Sequence, residues 1–233
     1  LFLVVVMIIT AATGFKFVER FASVSYFGKA IAAQTVPVAE TSIKKAISLY
    51  SNDLYLRTYA QVYLVKLNEI VAKGQNLSEA DKASLQASFD QAISGAQTAV
   101  VYNPNNYLNY KTLGAVYETV APFGVEGAYD RAVEAYGKAG ELNPLNPGIK
   151  LALARASFTS KKVKEARDYA NQALTLKPDY VDALIILSQI EKSEGNNTNA
   201  ISYAEKALGL FPNDKNLIQY VNTLKGVSSS SST

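Results

Sequence analysis

Three stretches decide the fold: Ala139-Gly140-Glu141-Leu142-Asn143-Pro144, Ala173-Leu174-Thr175-Leu176-Lys177-Pro178 and Ala207-Leu208-Gly209-Leu210-Phe211-Pro212. Each sets an alanine five residues and a leucine two residues before a proline, and the prolines are spaced 178 − 144 = 34 and 212 − 178 = 34. A related turn, Tyr102-Asn103-Pro104 with Ala99 before it, lies 40 residues ahead of Pro144, one period plus an insert of six. Self-similarity at a fixed period of this size marks a stack of supersecondary units, each burying its apolar face on the next.

Outward from these turns the agreement continues. A small residue falls seven positions before each alanine: Ala92, Ala132, Ala166 and Ala200. Each unit opens with a large residue followed three and four positions later by leucine and a small residue. Tyr110-Leu113-Gly114-Tyr117 is the clearest instance, Leu184-Leu187-Ser188 the second and Lys150-Leu153-Ala154 a weaker one. Spacings of three, four and seven share one helix face. Gly114, Ala154 and Ser188 admit a closely packed partner helix, and the alanines admit the next pair. Proline cannot continue the helix, so the chain turns.

This pattern resembles the tetratricopeptide-repeat family over roughly residues 21–225. The resemblance implies an all-α fold, a right-handed α-solenoid of about five helix pairs whose first helices line a concave groove. Earlier units are less regular. Leu56-Tyr59-Ala60-Tyr63 opens one that closes at Ala92, Ala99 and Pro104, with about twenty residues more than the others between its helices. Ser78 with Asp81 predicts an N-cap restarting the chain there. Val24, Phe27, Gly28 and Ile31, then Pro37, Ala39, Ile43 and Ala46, predict the earliest pair. Leu217, Ile218, Val221 and Leu224 predict a closing half-unit. Residues 1–21 are expected to be an apolar membrane-anchor or assembly-core helix, 22–226 the solenoid and 227–233 a disordered Ser-rich tail.

The N-terminal run Leu1–Phe15 carries no charge before Lys16. A spanning helix needs about 20 apolar residues, so the run is slightly short. A signal peptide would need a basic segment before the run and a small-residue cleavage site after it, and neither is visible. The first residue is Leu rather than Met, as in a processed chain or a fragment. Lys16, Arg20 and Lys29 follow the run, which by the positive-inside tendency places the repeats in the cytoplasm.

Composition excludes more than it proposes. With no Cys and no His there is no disulfide, thiolate site, Ser-His-Asp triad or imidazole metal site. The net charge of +3 is too weak to argue for nucleic acid, and none is expected as a partner. Gly124-Val125-Glu126-Gly127 lacks the ending of a phosphate loop, and the carboxylates are scattered over helix faces. The chain therefore reads as non-catalytic, with no cofactor and no metal. Helical phase puts Arg57, Gln61, Lys111, Arg155, Gln189 and Lys192 near the groove, where they would take an acidic peptide or a C-terminal carboxylate. A solvated helix face is the alternative. The stretch Ala121 to Gly127, which carries the six-residue insert, offers Phe123 and Val125 as contact candidates or packs on its own unit. Asn76-Leu77-Ser78 and Asn196-Asn197-Thr198 have glycan-acceptor spacing, in turns where Asn is expected anyway.

Tyr26-Phe27, the run Lys45-Ala46-Ile47-Ser48-Leu49, Asn68-Glu69 and Asn76-Leu77-Ser78 are similar to the repeat domain that follows the last span of bacterial O-antigen-ligase-like membrane proteins. That resemblance implies repeats outside the cytoplasm at the cell envelope, opposite to the charge tendency, and carries no activity over. The expected function is a membrane-anchored scaffold, held in the bilayer through residues 1–15, that binds a protein or peptide. The alternative is a pilus-like extracellular filament subunit binding copies of itself, with the apolar helix in its core.

Overall fold

The computed structural model describes residues 2–73 and 77–226; the Ser-rich tail and the Asn76 of the first sequon lie outside the described residues. Among them there are eleven α-helices, one short 3-10 turn at Ala121–Phe123, and no strand. They divide into two compact units at Pro122.

The first unit holds α1 (Phe2–Ile31), α2 (Val36–Leu49), α3 (Asp53–Val71), α4 (Glu79–Tyr102) and α5 (Tyr107–Val120). Helices α1 with α2 and α3 with α4 form packed pairs, and α5 lies on α3 and α4. The second unit holds α6 (Ala128–Leu142), α7 (Pro147–Thr159), α8 (Val163–Leu176), α9 (Val181–Ser193), α10 (Asn197–Leu210) and α11 (Lys215–Leu224). Its pairs are α7 with α8 and α9 with α10; α6 packs on α7, and α11 closes on α10 as the expected half-unit.

Proline ends the helices as the sequence predicts. α4, α6, α8 and α10 each stop two residues before Pro104, Pro144, Pro178 and Pro212. Ala99, Ala139 and Ala173 then accept the bond that closes the helix, from the N–H of Asn103, Asn143 and Lys177 at 2.9–3.1 Å. Asn52, Asn106, Asn146 and Asp214 cap the helices that follow with their side-chain oxygens. The eight periodic alanines, from Ala92 to Ala207, are all fully buried. With no exposed surface at any of them, a larger side chain would have to push neighbouring helices apart.

Three details differ from the sequence expectation. The extra residues between Tyr63 and Ala92 lengthen the helices: α3 has 19 residues and α4 has 24, against 13–15 for α6 to α10. The inward face of α1 is one residue out of the expected phase. Ser23, Phe27 and Ala30 meet α2 and α3, whereas Val24 and Ile31 are 58% and 65% exposed. Ser23 sets that phase by donating its hydroxyl to the carbonyl of Ala46 at 2.8 Å, which needs the two backbones close. Ser78 caps α4 by accepting from the N–H of Asp81 at 3.1 Å, but the Asp81 carboxylate accepts from the Ser78 hydroxyl and from Lys73. Aspartate, one methylene shorter than the usual glutamate, makes these bonds in place of the backbone bond of a full capping box.

Candidate protein-binding faces

Helix α3 carries Arg57 and Gln61 one turn apart. Arg57 is only 9% exposed. Its guanidinium pairs with Asp53 at 3.1 Å and donates to the side-chain oxygen of fully buried Asn109. The Asn109 amide donates to the carbonyls of Ala99 at 2.9 Å and Asn103 at 2.7 Å, and Asp53 also accepts from Asn106 at 2.7 Å. Burial would raise the Asp53 pKa, but the Asn106 and Asn109 amides and the Arg57 charge outweigh it and hold the carboxyl below its ordinary value. Arg57 thus pins the ends of α3, α4 and α5 together and is not offered to a ligand.

Gln61 is exposed and, with Thr58 and Val65, forms one wall of a concavity of about 360 Å³. The other wall is the end of α1 and the start of α2, including Ile31 and Val36. Lys111 is exposed on α5. In the second unit Arg155 on α7 is exposed and close enough to Tyr180 to influence its titration. Gln189 on α9 is half-buried, and Lys192, in the last turn of that helix, is exposed. Phe123 is 41% exposed and Val125 half-buried, in a turn where Gly124 and Gly127 both adopt positive φ.

Two further charged clusters escaped the sequence reading. Glu40 of α2 accepts from Lys44 at 2.6 Å, Lys66 at 2.8 Å and the Tyr63 hydroxyl at 2.9 Å. Burial opposes ionisation there, but the two ammonium groups win and bring the Glu40 pKa down to about 2. Glu191 on α9 is 4% exposed and bound by Arg167 of α8, which also reaches Glu194. The Arg167 hydrogen bond, stronger here than the burial opposing it, keeps Glu191 below the usual carboxylate range. Glu40 and Lys44 stand at i,i+4 spacing on α2, but Lys66 and Tyr63 come from α3. Arg167 meets Glu191 from the preceding helix, so only the fold assembles each cluster. Among the described residues no group of acidic side chains is arranged to hold a metal ion.

Models of the tetratricopeptide repeat match residues 126–190 and 181–214. The second unit is therefore built of tetratricopeptide repeats, and the fold of the whole chain is of that helix-pair kind. The Thermus thermophilus tetratricopeptide-repeat protein TTC0263 superposes with a TM-score of 0.62 at 18% identity, covering 90% of this chain and 98% of that one. YrrB, described as a tetratricopeptide-repeat protein with an unusual peptide-binding site, gives 0.57 at 17% identity, covering 81% and 84%. The human protein O-mannosyl-transferase TMTC1 is 27% identical over 138 residues, 59% of this chain but 14% of its own length. The matched segment is thus a small part of that protein.

Proposed function

We propose that this chain is a non-catalytic scaffold anchored at the cell envelope, whose repeat helices present a binding face to a protein or peptide. One observation carries the reading: α1 is a single 30-residue helix with two environments. From Phe2 to Val18 every side chain is exposed, whereas from Ser23 onward it is packed into the first helix pair. Its most apolar 18-residue window has mean hydropathy 1.9 and no buried residue. The exposed run Phe2 to Phe15 is uncharged and apolar but for Thr10 and Thr13, whose hydroxyls bond back to the helix. It therefore costs too much in water to stand alone, and a bilayer core satisfies both its apolarity and its helical backbone. The resemblance to the domain after the last span of O-antigen-ligase-like proteins supports the same setting, with the repeats outside the cytoplasm.

The faces offered to a partner are Gln61 with Lys111 in the first unit and Arg155, Gln189 and Lys192 in the second, with Phe123 and Val125 as apolar contacts. Their cationic groups suit an acidic peptide or a free C-terminal carboxylate. That YrrB is a repeat protein with a peptide-binding site supports the mode of use, not the ligand.

Flotation tests the anchor. The full chain should rise with phosphatidylcholine/phosphatidylglycerol vesicles, and Val5→Lys with Ile9→Lys should leave it at the bottom of the gradient. Ordered fibres formed without lipid would reject the anchor in favour of a filament core. For the face, a labelled acidic peptide with a free carboxylate should lose anisotropy on Arg155→Glu with Lys192→Glu; unchanged binding would remove those residues from the site.

A further inference from the structure

The exposed apolar side chains of the first unit are not scattered. Outside α1, four of the seven large ones flank two turns: Leu54 at 45%, Val101 at 80%, Tyr102 at 52% and Leu108 at 37%. The turns join α2 to α3 and α4 to α5. They lie side by side, because Asp53 in the first accepts from Asn103 at 3.3 Å and Asn106 at 2.7 Å in the second.

The same edge is where α1 leaves the unit. Arg20 donates to the Tyr50 hydroxyl at 2.7 Å with its guanidinium 4.4 Å from the ring centre, and Ser23 is 3.4 Å from the Tyr50 carbonyl. Ser23 is also the first buried residue of α1. Everything N-terminal to it runs out past the turns. An apolar helix and a row of exposed apolar turn residues thus share one edge.

Distance makes this arrangement specific. From Phe15, the end of the uncharged run, to Ser23 is about 12 Å at the helical rise. The polar layer of one leaflet is about 5–8 Å thick. With Phe15 at the hydrocarbon boundary, Ser23 stands about 4–7 Å outside the headgroups, while Arg20, bonded to Tyr50 of the first turn, stands about 7.5 Å out, at their outer face. Phe17 and Phe21, 74% and 73% exposed, allow the turn edge to sink further. Lys16 and Arg20 fall at headgroup depth, where basic side chains meet lipid phosphate and amphipathic aromatics such as Tyr50 and Tyr102 are favoured.

We infer that this turn edge is a second membrane contact: Leu54, Val101, Tyr102 and Leu108 rest in the headgroup layer of the bilayer that α1 enters. The inference rests on the anchor reading. It adds an orientation, with the pairs standing edge-on so that the exposed faces of α3 and α5 stay open to a protein partner. The second unit has the same feature by itself, with Leu145 at 75%, Phe211 at 58%, and Leu142 and Leu210 near 42% at turns of the same kind.

The chain contains no Trp, so one introduced Trp reports its own depth. Full-length Val101→Trp and Leu108→Trp, reconstituted in phosphatidylcholine/phosphatidylglycerol vesicles, should emit blue of their detergent-solubilised spectra. Lipids brominated near the headgroup should quench them more than lipids brominated deep in the tails. Val71→Trp, at the far end of α3, should keep the emission and quenching of a water-exposed indole. Ile8→Trp should be quenched best by deep bromines. If Ile8→Trp behaves so while Val101→Trp and Leu108→Trp match Val71→Trp, the edge contact is wrong and the anchor stands. If Ile8→Trp is unquenched, the anchor fails and the edge contact with it. A blue shift of Val101→Trp that is equal with and without lipid indicates a protein contact and overturns the inference.

Discussion

The two units use one repeat in different ways, and the clearest contrast is at a single repeat position. Asn109 in the first unit corresponds, at intervals of 40, 34 and 34, to Ile149, Ala183 and Leu217 in the second. All four are buried. Three contribute apolar contact; Asn109 instead commits its amide and carbonyl to Arg57, Asp53 and two backbone carbonyls. The core of the second unit is apolar, as in the cluster that packs Ala166, Ala170, Ala173 and Ala183 with Leu151, Ile186, Leu187 and Ile190. The first relies on buried polar pins and stacked aromatics, with Phe27 and Tyr55 4.4 Å apart and Glu40 clamped between two lysines. Regular periodicity therefore survives where contact is apolar and fades where hydrogen bonds do the same work.

A reciprocal swap breaks this contrast most severely. Ile149→Asn buries an amide with no partner and removes a fully buried side chain, for a cost of about 4 kcal/mol. Asn109→Ile places a larger side chain in a fully buried position and leaves Arg57 and Asp53 short of partners, costing about 3 kcal/mol. Urea unfolding of the full chain measures both; a neutral Asn109→Ile would show that the network is incidental. Ala166→Leu comes next. With Ala166 fully buried at a helix crossing, overpacking should cost about 2 kcal/mol, whereas leucine at exposed Lys164 should change little.

The second unit was the more legible, because α6, α8 and α10 end two residues before a proline and α7 and α11 begin at an asparagine or aspartate cap. In the first unit α1 alone was out of phase, since Ile43, Ala46, Leu56, Ala60 and Tyr63 are buried as read. Ser23 is polar, so an apolar-periodicity reading passes over it, yet it sets the close approach of α1 to α2. Arg57 shows the same limit at the candidate face. Helical phase placed it beside Gln61, but only the fold brings Asn109, 52 residues away in sequence, against its guanidinium. Exposure at the turns was likewise unreadable, since leucine before a proline looks the same buried or bare.

Acid should separate the units less sharply, because each contains a depressed carboxylate. For Glu40 the folded pKa of about 2 lies below the ordinary value of 4.5. Its contribution is therefore complete above about pH 4.5 and lost as pH falls through about 2. It is worth about 1–2 kcal/mol, since Lys44 is half exposed and solvent screens the pair. Glu40→Gln should flatten the acid limb of stability over that window. Asp53 and Glu191 are shifted in the same direction, so some acid sensitivity should remain in the variant.

The smallest expected effect has the opposite sign and concerns a regularity visible only in the folded chain. Gly127, Lys161 and Gly195 recur at 34-residue spacing, and all three adopt positive φ, at 66°, 61° and 81°. At Lys161 and Gly195 that conformation turns the chain between α7 and α8 and between α9 and α10. It lets the next N–H, of Lys162 or Asn196, reach back to the carbonyl of Ser157 or Glu191 at 2.9 Å. Lysine bears a left-handed conformation there that costs a residue with a Cβ about 1–2 kcal/mol. Glycine escapes that cost but loses about 0.5–1 kcal/mol more chain entropy on folding. Lys161→Gly should therefore stabilise the second unit by about 0.5 kcal/mol, read as a higher urea midpoint at unchanged slope. Lys161→Val, β-branched at the same φ, should lower it; if valine and glycine behave alike, the backbone at 161 relaxes and the third member of the periodic turn is not held by its φ.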